Sequence, residues 1–259
     1  MIPRLTAVQF ERFMTSGRTS PALVSCEDQA GAMVGEYVLK LRGAIGTSGL
    51  LKEALAVGLA RHFGLASPEP ALVKIEPAFA ELVANAQAFQ AALIKSSTGL
   101  NFGTKVLSGV TIWPVDKTIP EAMWQSAVNV FAFDALVQNP DRRFGNPNIF
   151  TRGDDLLIFD HEMAFSFVHA LFLSATPWRL DDQQYLSNHV FYRKLKSKPI
   201  DLTGFTTSLG GLSDGILAGI VANLPAEWNN GTLPKIEGHL RTVRDHRLEF
   251  AEEVRRILV

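Results

Sequence analysis

Two carboxylates and a carboxamide crowd into a short stretch of this chain: Asp141 and Asn146 in NPDRRFGNPNIF, residues 139–150, and Asp160 at the end of LLIFD. Asp141 opens a polar loop directly after a helix-like segment, where its carboxylate can take or orient the proton of a substrate hydroxyl. Asn146, five residues on, offers an amide oxygen, a suitable hard ligand for Mg2+. Asp160 closes an apolar run with a carboxylate able to bridge one or two such ions. Far upstream, Lys40 stands between Leu39 and Leu41 in a strand-like run, and Glu53 lies in the first turns of the helix that follows. An ammonium on an inner face needs a partner, and Glu53 is the natural one. A Lys held in this way can be aimed at phosphates. Phosphoryl transfer needs these parts: a cation on the phosphates, metal ions on oxygen ligands, and a carboxylate beside the attacking hydroxyl.

Each residue also has an ordinary structural use. Asp141 after Asn139-Pro140 can start a turn, and Asn146 and Asn148 flank Pro147, where Asn is common for backbone reasons. Asp160 can cap a strand end, Lys40 can snorkel from an edge strand, and Glu53 can be a solvated helix residue. His161 reads as a packed or loop histidine, Arg142-Arg143 as a solvated pair, and Cys26 as an inert small hydrophobe. What joins the candidates is their order: Lys on a strand, Glu on the next helix, D-x-x-x-x-N, then a strand ending in Asp.

The elements that must hold these residues can be read from the pattern. With 259 residues the chain can form one large domain or two lobes, and 47% hydrophobic against 20% charged residues is the balance of a folded globular protein. A net charge of −1 argues against broad electrostatic binding to nucleic acid. The single cysteine, Cys26, excludes an intrachain disulfide framework and suits a reducing cytoplasm, so a cytoplasmic location is expected. The start, MIPRLTAVQFERFM, carries charge where a signal peptide needs an apolar core, and no run approaches the roughly 18 apolar residues of a membrane span. The Phe-rich AFSFVHALFLSA is too short for one and reads as a buried segment.

Residues 21–26 and 36–41 read as the strands of a hairpin across the turn at 27–31. Thr47 or Ser48 can cap a helix to about Phe63, stopped by Gly64. Residues 71–75 read as a strand, 78–93 as a helical patch, and 101–112 as a strand opening into a connector. From Glu121 to about Gln138 the pattern is helical, with Trp124, Val128, Phe131, Ala135 and Leu136 on one face, and Asn139-Pro140 ends it. Two short strands, 148–150 and 156–159, meet across the turn at 152–155. Beyond about 165 the chain reads as mainly helical, with a last helix at roughly 235–256. The fold class is therefore α+β, with a strand-rich part over 1–110 and a largely helical part over 111–259.

At this point the chain resembles a known family. NPDRRFGNPNIF is similar to the N-x-D-R-H-x-x-N catalytic loop of HipA-like kinases, which are distantly similar to phosphoinositide-3-kinase-like and protein kinases. LLIFDHEMAFSF resembles the metal-binding Asp segment of the shorter HipA-related proteins. RTSPALV, GEYVLKLRG, LLKEALAVGLARHFGL and NFGTKVLSG follow the family's order, so the resemblance covers residues 15–170. It implies a two-lobed protein-kinase-like fold with an N-lobe over 1–110 and a C-lobe over 111–259. It implies ATP and Mg2+ as cofactors, Asp141 as the catalytic carboxylate, Asn146 and Asp160 on Mg2+, and Lys40 on the α- or β-phosphate with Glu53 as its partner. Lys105, Val106, Leu107 and Ser108 would form the hinge facing adenine. The loop with Ser16, Gly17, Thr19 and Ser20 would cover the phosphates.

Three departures from the family pattern stand out. Arg143 takes a position where the family often has His, the first hairpin has no G-x-G-x-x-G, and the chain is shorter than full HipA toxins, as if their extra N-terminal domain were missing. The expected activity is phosphorylation of a Ser or Thr hydroxyl on a protein or on the chain itself. A small-molecule kinase of the same fold, with Asp181-Asp182 suiting a cationic acceptor, and a nucleotide-binding pseudokinase stay open beside it. The expected partners are ATP, a protein or small-molecule hydroxyl acceptor and an antitoxin-like protein, without nucleic acid or membrane. A hydroxyl among Ser16, Thr19 and Ser20 could also be phosphorylated in cis.

Overall fold

The computed structural model describes residues 1–15 and 19–259. Its contacts divide the chain into two compact units. One comprises Met1–Ala54, Pro68–Ser108 and Asn223–Asn230; the other comprises Leu55–Ser67, Gly109–Ala222 and Gly231–Val259.

The first unit is built on five strands: β1 (Arg4–Phe13), β2 (Ala22–Glu27), β3 (Met33–Lys40), β4 (Pro70–Ile75) and β5 (Gly99–Lys105). They close a barrel in the order β1-β2-β3-β5-β4, antiparallel throughout except for the parallel pair of β1 with β4. The expected hairpin is β2–β3, in register from Ala22↔Leu39 to Cys26↔Gly35. Its turn is held by the Asp28 carboxylate, which accepts the N–H groups of Ala30 and Ala32 at 2.8 and 2.9 Å. Strand β1 was not anticipated. Only Leu5 and Ala7 along it are fully buried, so the alternation that marks a strand fades after two inward positions. The strand expected over 101–112 stops at Lys105.

Side chains of Leu5, Val24, Cys26, Tyr37, Leu39, Val73 and Ile75 fill the barrel. Gly103 of β5 sits where a Cβ would come within 2.8 Å of Leu39 and 2.9 Å of Val73, so only glycine lets the strands approach there. Helix α1 (Arg42–His62) starts earlier than expected. Gly46, at φ 66° and ψ 174°, interrupts it, so the expected start at Thr47 marks its second piece. The helical patch over 78–93 is α2 (Pro77–Ala86), a single 3-10 turn at 88–90, and α3 (Ala91–Ser96).

The second unit carries a three-stranded antiparallel sheet, β6 (Thr111–Ile112), β7 (Ile149–Arg152) and β8 (Asp155–Ile158), and helix α4 (Glu121–Leu136). Helix α4 is not one-faced: every residue from Val130 to Leu136 is buried. A helical stretch buried all round belongs in the middle of a core. Around it Phe63, at the end of α1, stacks on Phe205 at 4.6 Å and meets Phe133 edge-on at 5.9 Å.

Beyond residue 165 the helical expectation holds only in part. Residues 170–202 are mostly turns, with 3-10 segments and the short α5 (Tyr192–Leu195). Then come α6 (Thr203–Gly211), α7 (Asp214–Val221), α8 (Leu233–Asp245) and α9 (Arg247–Leu258). The single last helix expected over 235–256 is thus two, broken at His246. The segment AFSFVHALFLSA is buried only in its first half. Phe165 and Val168 are buried, whereas Leu171 and Phe172 stand out in solvent. Among the described residues no helix is long and apolar enough to cross a membrane.

Candidate active site

Helix α4 ends at Leu136, and Gln138 turns the chain out through the left-handed region at φ 47°. The N–H of Asn139 donates back to the Asp134 carbonyl at 2.9 Å, and Pro140 prevents any further helical turn. The loop then tightens on itself: Arg143 and Asn146 exchange backbone hydrogen bonds at 3.1 and 2.9 Å. This hairpin sets Asn146 and Asn148 against Asp141. Oδ2 of Asp141 accepts from Nδ2 of Asn146 at 2.8 Å and from Nδ2 of Asn148 at 3.3 Å, and Arg143 Nε lies 3.7 Å from Oδ1. A carboxylate only accepts, so it fixes which end of the Asn146 amide faces it. The amide oxygen of Asn146 is turned the other way, where it can serve a cation.

Beneath the loop lies a buried polar cluster that the sequence reading missed. Asp134, on α4, is completely buried. Its Oδ1 accepts from Nδ2 of Asn139 at 3.1 Å; its Oδ2 accepts from Nε of Arg142 at 2.6 Å and from Nε2 of His189 at 3.0 Å. Arg142 is therefore not half of a solvated pair. Only Arg143 is exposed, and the side chain of Arg142 has no exposed surface. Arg142 Nη1 also donates to the carbonyls of Asn148 and Phe159. His189 Nδ1 accepts the N–H of Phe191 at 3.2 Å, which assigns its proton to Nε2.

Burial pushes the pKa of His189 down, and the ring is neutral. Asp134 stays ionised, with its pKa held below the usual carboxylate value by the Arg142 charge and the His189 hydrogen bond against the pull of burial. The signal that could have revealed this cluster is the lone Asp in VFAFDALV. A carboxylate in an apolar helix must find a donor, and Arg142 is the first cation after it.

Strand β8 carries Asp160 to the same loop. The N–H of Phe159 donates to the Asn148 carbonyl at 3.1 Å, and Ile149 pairs with Ile158. Asp160 has φ 59° and Asn148 φ 48°, both left-handed. Asn and Asp tolerate this region better than other non-glycine residues, and two such positions on either side of one hydrogen bond mark a backbone held in place by its surroundings. A carboxylate oxygen of Glu162, which sequence reasoning passed over, lies within 4.8 Å of one from Asp160. His161 is buried edge-on to Phe133 at 6.2 Å, as a packed histidine.

In the barrel unit, Tyr37 and Leu39 point inward and Lys40, by the alternation of β3, lies on the opposite face. It is therefore outside the barrel core, yet half-buried, with Nζ 3.9 Å from Oε1 of the buried Glu53. The expected hinge follows β5. The N–H of Lys105 donates to the Glu69 carbonyl and that of Val106 to the Glu36 carbonyl, at 2.8 and 2.9 Å. The backbone N–H groups of these two residues are thus already engaged within the barrel unit. Thr19 and Ser20 precede β2, with Ser20 left-handed at φ 46°; Ser16 and Gly17 lie outside the described residues. The Cys26 thiol is buried in the barrel and its pKa is pushed up to about 12, so it is inert. Asp181 lies at the surface, 2.8 Å from Arg256 and 3.2 Å from Arg179.

The sequence model of the HipA-like kinase family matches residues 7–249. Among curated proteins no sequence relative matches. Among solved structures the chain is similar to the Helicobacter pylori proinflammatory kinase CtkA, with a TM-score of 0.52 and 12% identity over 97% of this chain and 99% of that one. At that identity the likeness is one of fold.

Proposed function

Because the chain belongs to the HipA-like kinase family, we propose that it is an ATP- and Mg2+-dependent kinase that transfers the γ-phosphate to a Ser or Thr hydroxyl, on a protein or on itself. The observation that carries this reading is the Asp141 carboxylate, clamped through one oxygen by Asn146 and Asn148. An ionised carboxylate held in this way can orient an attacking hydroxyl and accept its proton.

The donor set fits a hard divalent ion: the amide oxygen of Asn146 is turned away from Asp141, and the Asp160 carboxylate has Glu162 beside it. Asn146 and Asp160 would hold Mg2+, which when bound neutralises phosphate charge and fixes the phosphates in line. Lys40, steadied by Glu53, would meet the α- or β-phosphate as a point charge. Leu107 and Ser108 would offer backbone groups to adenine, and the loop with Ser16, Gly17, Thr19 and Ser20 would cover the phosphates. In this reading residues 1–110 form the N-lobe and 111–259 the C-lobe of a kinase.

The reading is tested by ATP-dependent thermal stabilisation together with ADP release. With Mg-ATP at about 100 times Kd, binding to the folded state alone adds about 2.7 kcal/mol. Asp160→Ala is expected to reduce the Mg2+-dependent part of that gain, and Asp141→Ala to retain it while losing ADP release. Stabilisation without ADP release from the wild type, with any hydroxyl acceptor, would make the protein a nucleotide-binding pseudokinase. No stabilisation would remove the reading.

A further inference from the structure

The wholly buried Asp134 makes no contact that substrate could share, yet it lies two hydrogen bonds from each half of the site, reaching Asp141 through Asn139 and the Phe159 carbonyl before Asp160 through Arg142. We propose that Asp134 is the positioning residue of the active centre, a carboxylate that holds the Asp141 loop through Asn139 and the Asp160 segment through Arg142. The proposal rests on the reading above, in which Asp141 and Asp160 do the chemistry.

Two chains of bonds lead out from this carboxylate. From Oδ1 the path runs to Nδ2 of Asn139, whose own Oδ1 accepts the N–H of Asp141 at 3.2 Å. The Asn139 amide is thus fixed at both ends. It cannot turn over without facing its oxygen to Asp134 and its NH2 to the Asp141 N–H, two like-to-like contacts. From Oδ2 the path runs to Nε of Arg142, whose Nη1 spans the carbonyls of Asn148 and Phe159. The Phe159 carbonyl immediately precedes the metal-side residue Asp160, and Asn148, which owns the other, donates through its side chain to Asp141. Two of the residues with left-handed backbone, Asn148 and Asp160, lie here: the guanidinium bonds the carbonyl of the first and the carbonyl just before the second. One buried anion therefore sets the spacing between the proton acceptor and the metal-binding carboxylate. His189, donating to the same Oδ2, keeps Oδ2 from swinging away from Arg142.

Asp134→Asn is nearly isosteric and is the sharp test. Its NH2 must replace either Oδ1, where it meets the NH2 of Asn139, or Oδ2, where it meets the N–H groups of Arg142 and His189. One path is broken either way. The expected result is a fall in kcat of about 10- to 100-fold, with a similar rise in the Mg2+ concentration for half-maximal rate, since losing a residue that orients ligands commonly has this effect. KM for ATP at saturating Mg2+ stays within about twofold of wild type, because the groups that grip the nucleotide are untouched.

Loss of folding is controlled by Leu217→Ala, a buried residue of α7 outside the network. That variant is expected to melt lower with unchanged kcat and Mg2+ dependence, measured well below its melting temperature. An Asp134→Asn protein with wild-type kcat and Mg2+ dependence would overturn the proposal. So would a loss that Leu217→Ala reproduces at an equal drop in melting temperature. A wild type that transfers no phosphate at all would instead overturn the kinase reading, and the positioning role with it.

Discussion

His239 of α8 offers a quantitative test of the packing behind the site. Its Nε2 donates to the Leu136 carbonyl, the last of helix α4, at 2.8 Å, and its ring stacks on Phe167 at 4.2 Å. Burial pushes its pKa down from 6.5 to about 4, outweighing the hydrogen bond to Leu136 that favours the charged ring. In the unfolded chain the ring takes a proton below about 6.5. Between these two values unfolding takes up a proton, so stability rises with pH and is lost on acidification. Each pH unit inside the window is worth about 1.4 kcal/mol, so moving from pH 7 to pH 5 removes about 2 kcal/mol through this ring alone. His189, also depressed by burial, pulls in the same direction.

The perturbation is His239→Gln, whose amide can still donate to Leu136 and does not titrate. Urea unfolding at both pH values gives four stabilities. The stability difference between wild type and variant should shrink, or reverse in the variant's favour, by about 2 kcal/mol from pH 7 to pH 5. A difference that stays constant across that range would refute the assignment of a neutral, buried His239 at the end of α4.

Other expected outcomes follow from single contacts. Glu53→Gln removes the charge beside Lys40, and phosphate transfer should fall about 10-fold or more, as expected for losing a charge-assisted contact; an unchanged rate would show that Lys40 needs no such support. Gly103→Ala pushes a methyl group against Leu39 and Val73 inside the barrel and should cost about 1–3 kcal/mol, read from urea midpoints. Cys26 should resist a thiol-reactive disulfide at pH 8 in the native protein and react at once in urea; rapid native labelling would contradict its burial and raised pKa.

Much of the site was legible because its residues are polar where the chain should not be. Lys40 between two leucines and Asp160 after an apolar strand are conspicuous, and the hairpin β7–β8 follows from the turn residues at 152–155, where Gly153 takes φ 59°. The Lys40–Glu53 pairing could be expected from charge alone, although Lys40 lies on the face opposite the barrel core. What stayed hidden depends on long-range packing. Arg142 and Arg143 look alike in sequence, and only the depth of Asp134 decides that one is buried and the other is not. His189 lies 55 positions from Asp134, and no local pattern links them. Strand β1 has two fully buried positions, too few for a period, and its place in the barrel comes from pairing with β2 and β4. The exposed Leu171 and Phe172 read as core because hydropathy carries no record of which side of a turn meets solvent.

Phosphate transfer itself is tested most directly by the intact mass of the purified protein after incubation with Mg-ATP and a Ser/Thr-containing acceptor, beside Asp141→Ala and Asp160→Ala. A mass gain of about one phosphate is expected on the wild-type protein or its acceptor and none with either variant, since each removes a part that phosphoryl transfer requires. An equal gain with Asp141→Ala would contradict the account, because the carboxylate clamped by Asn146 and Asn148 would then have no part in the chemistry.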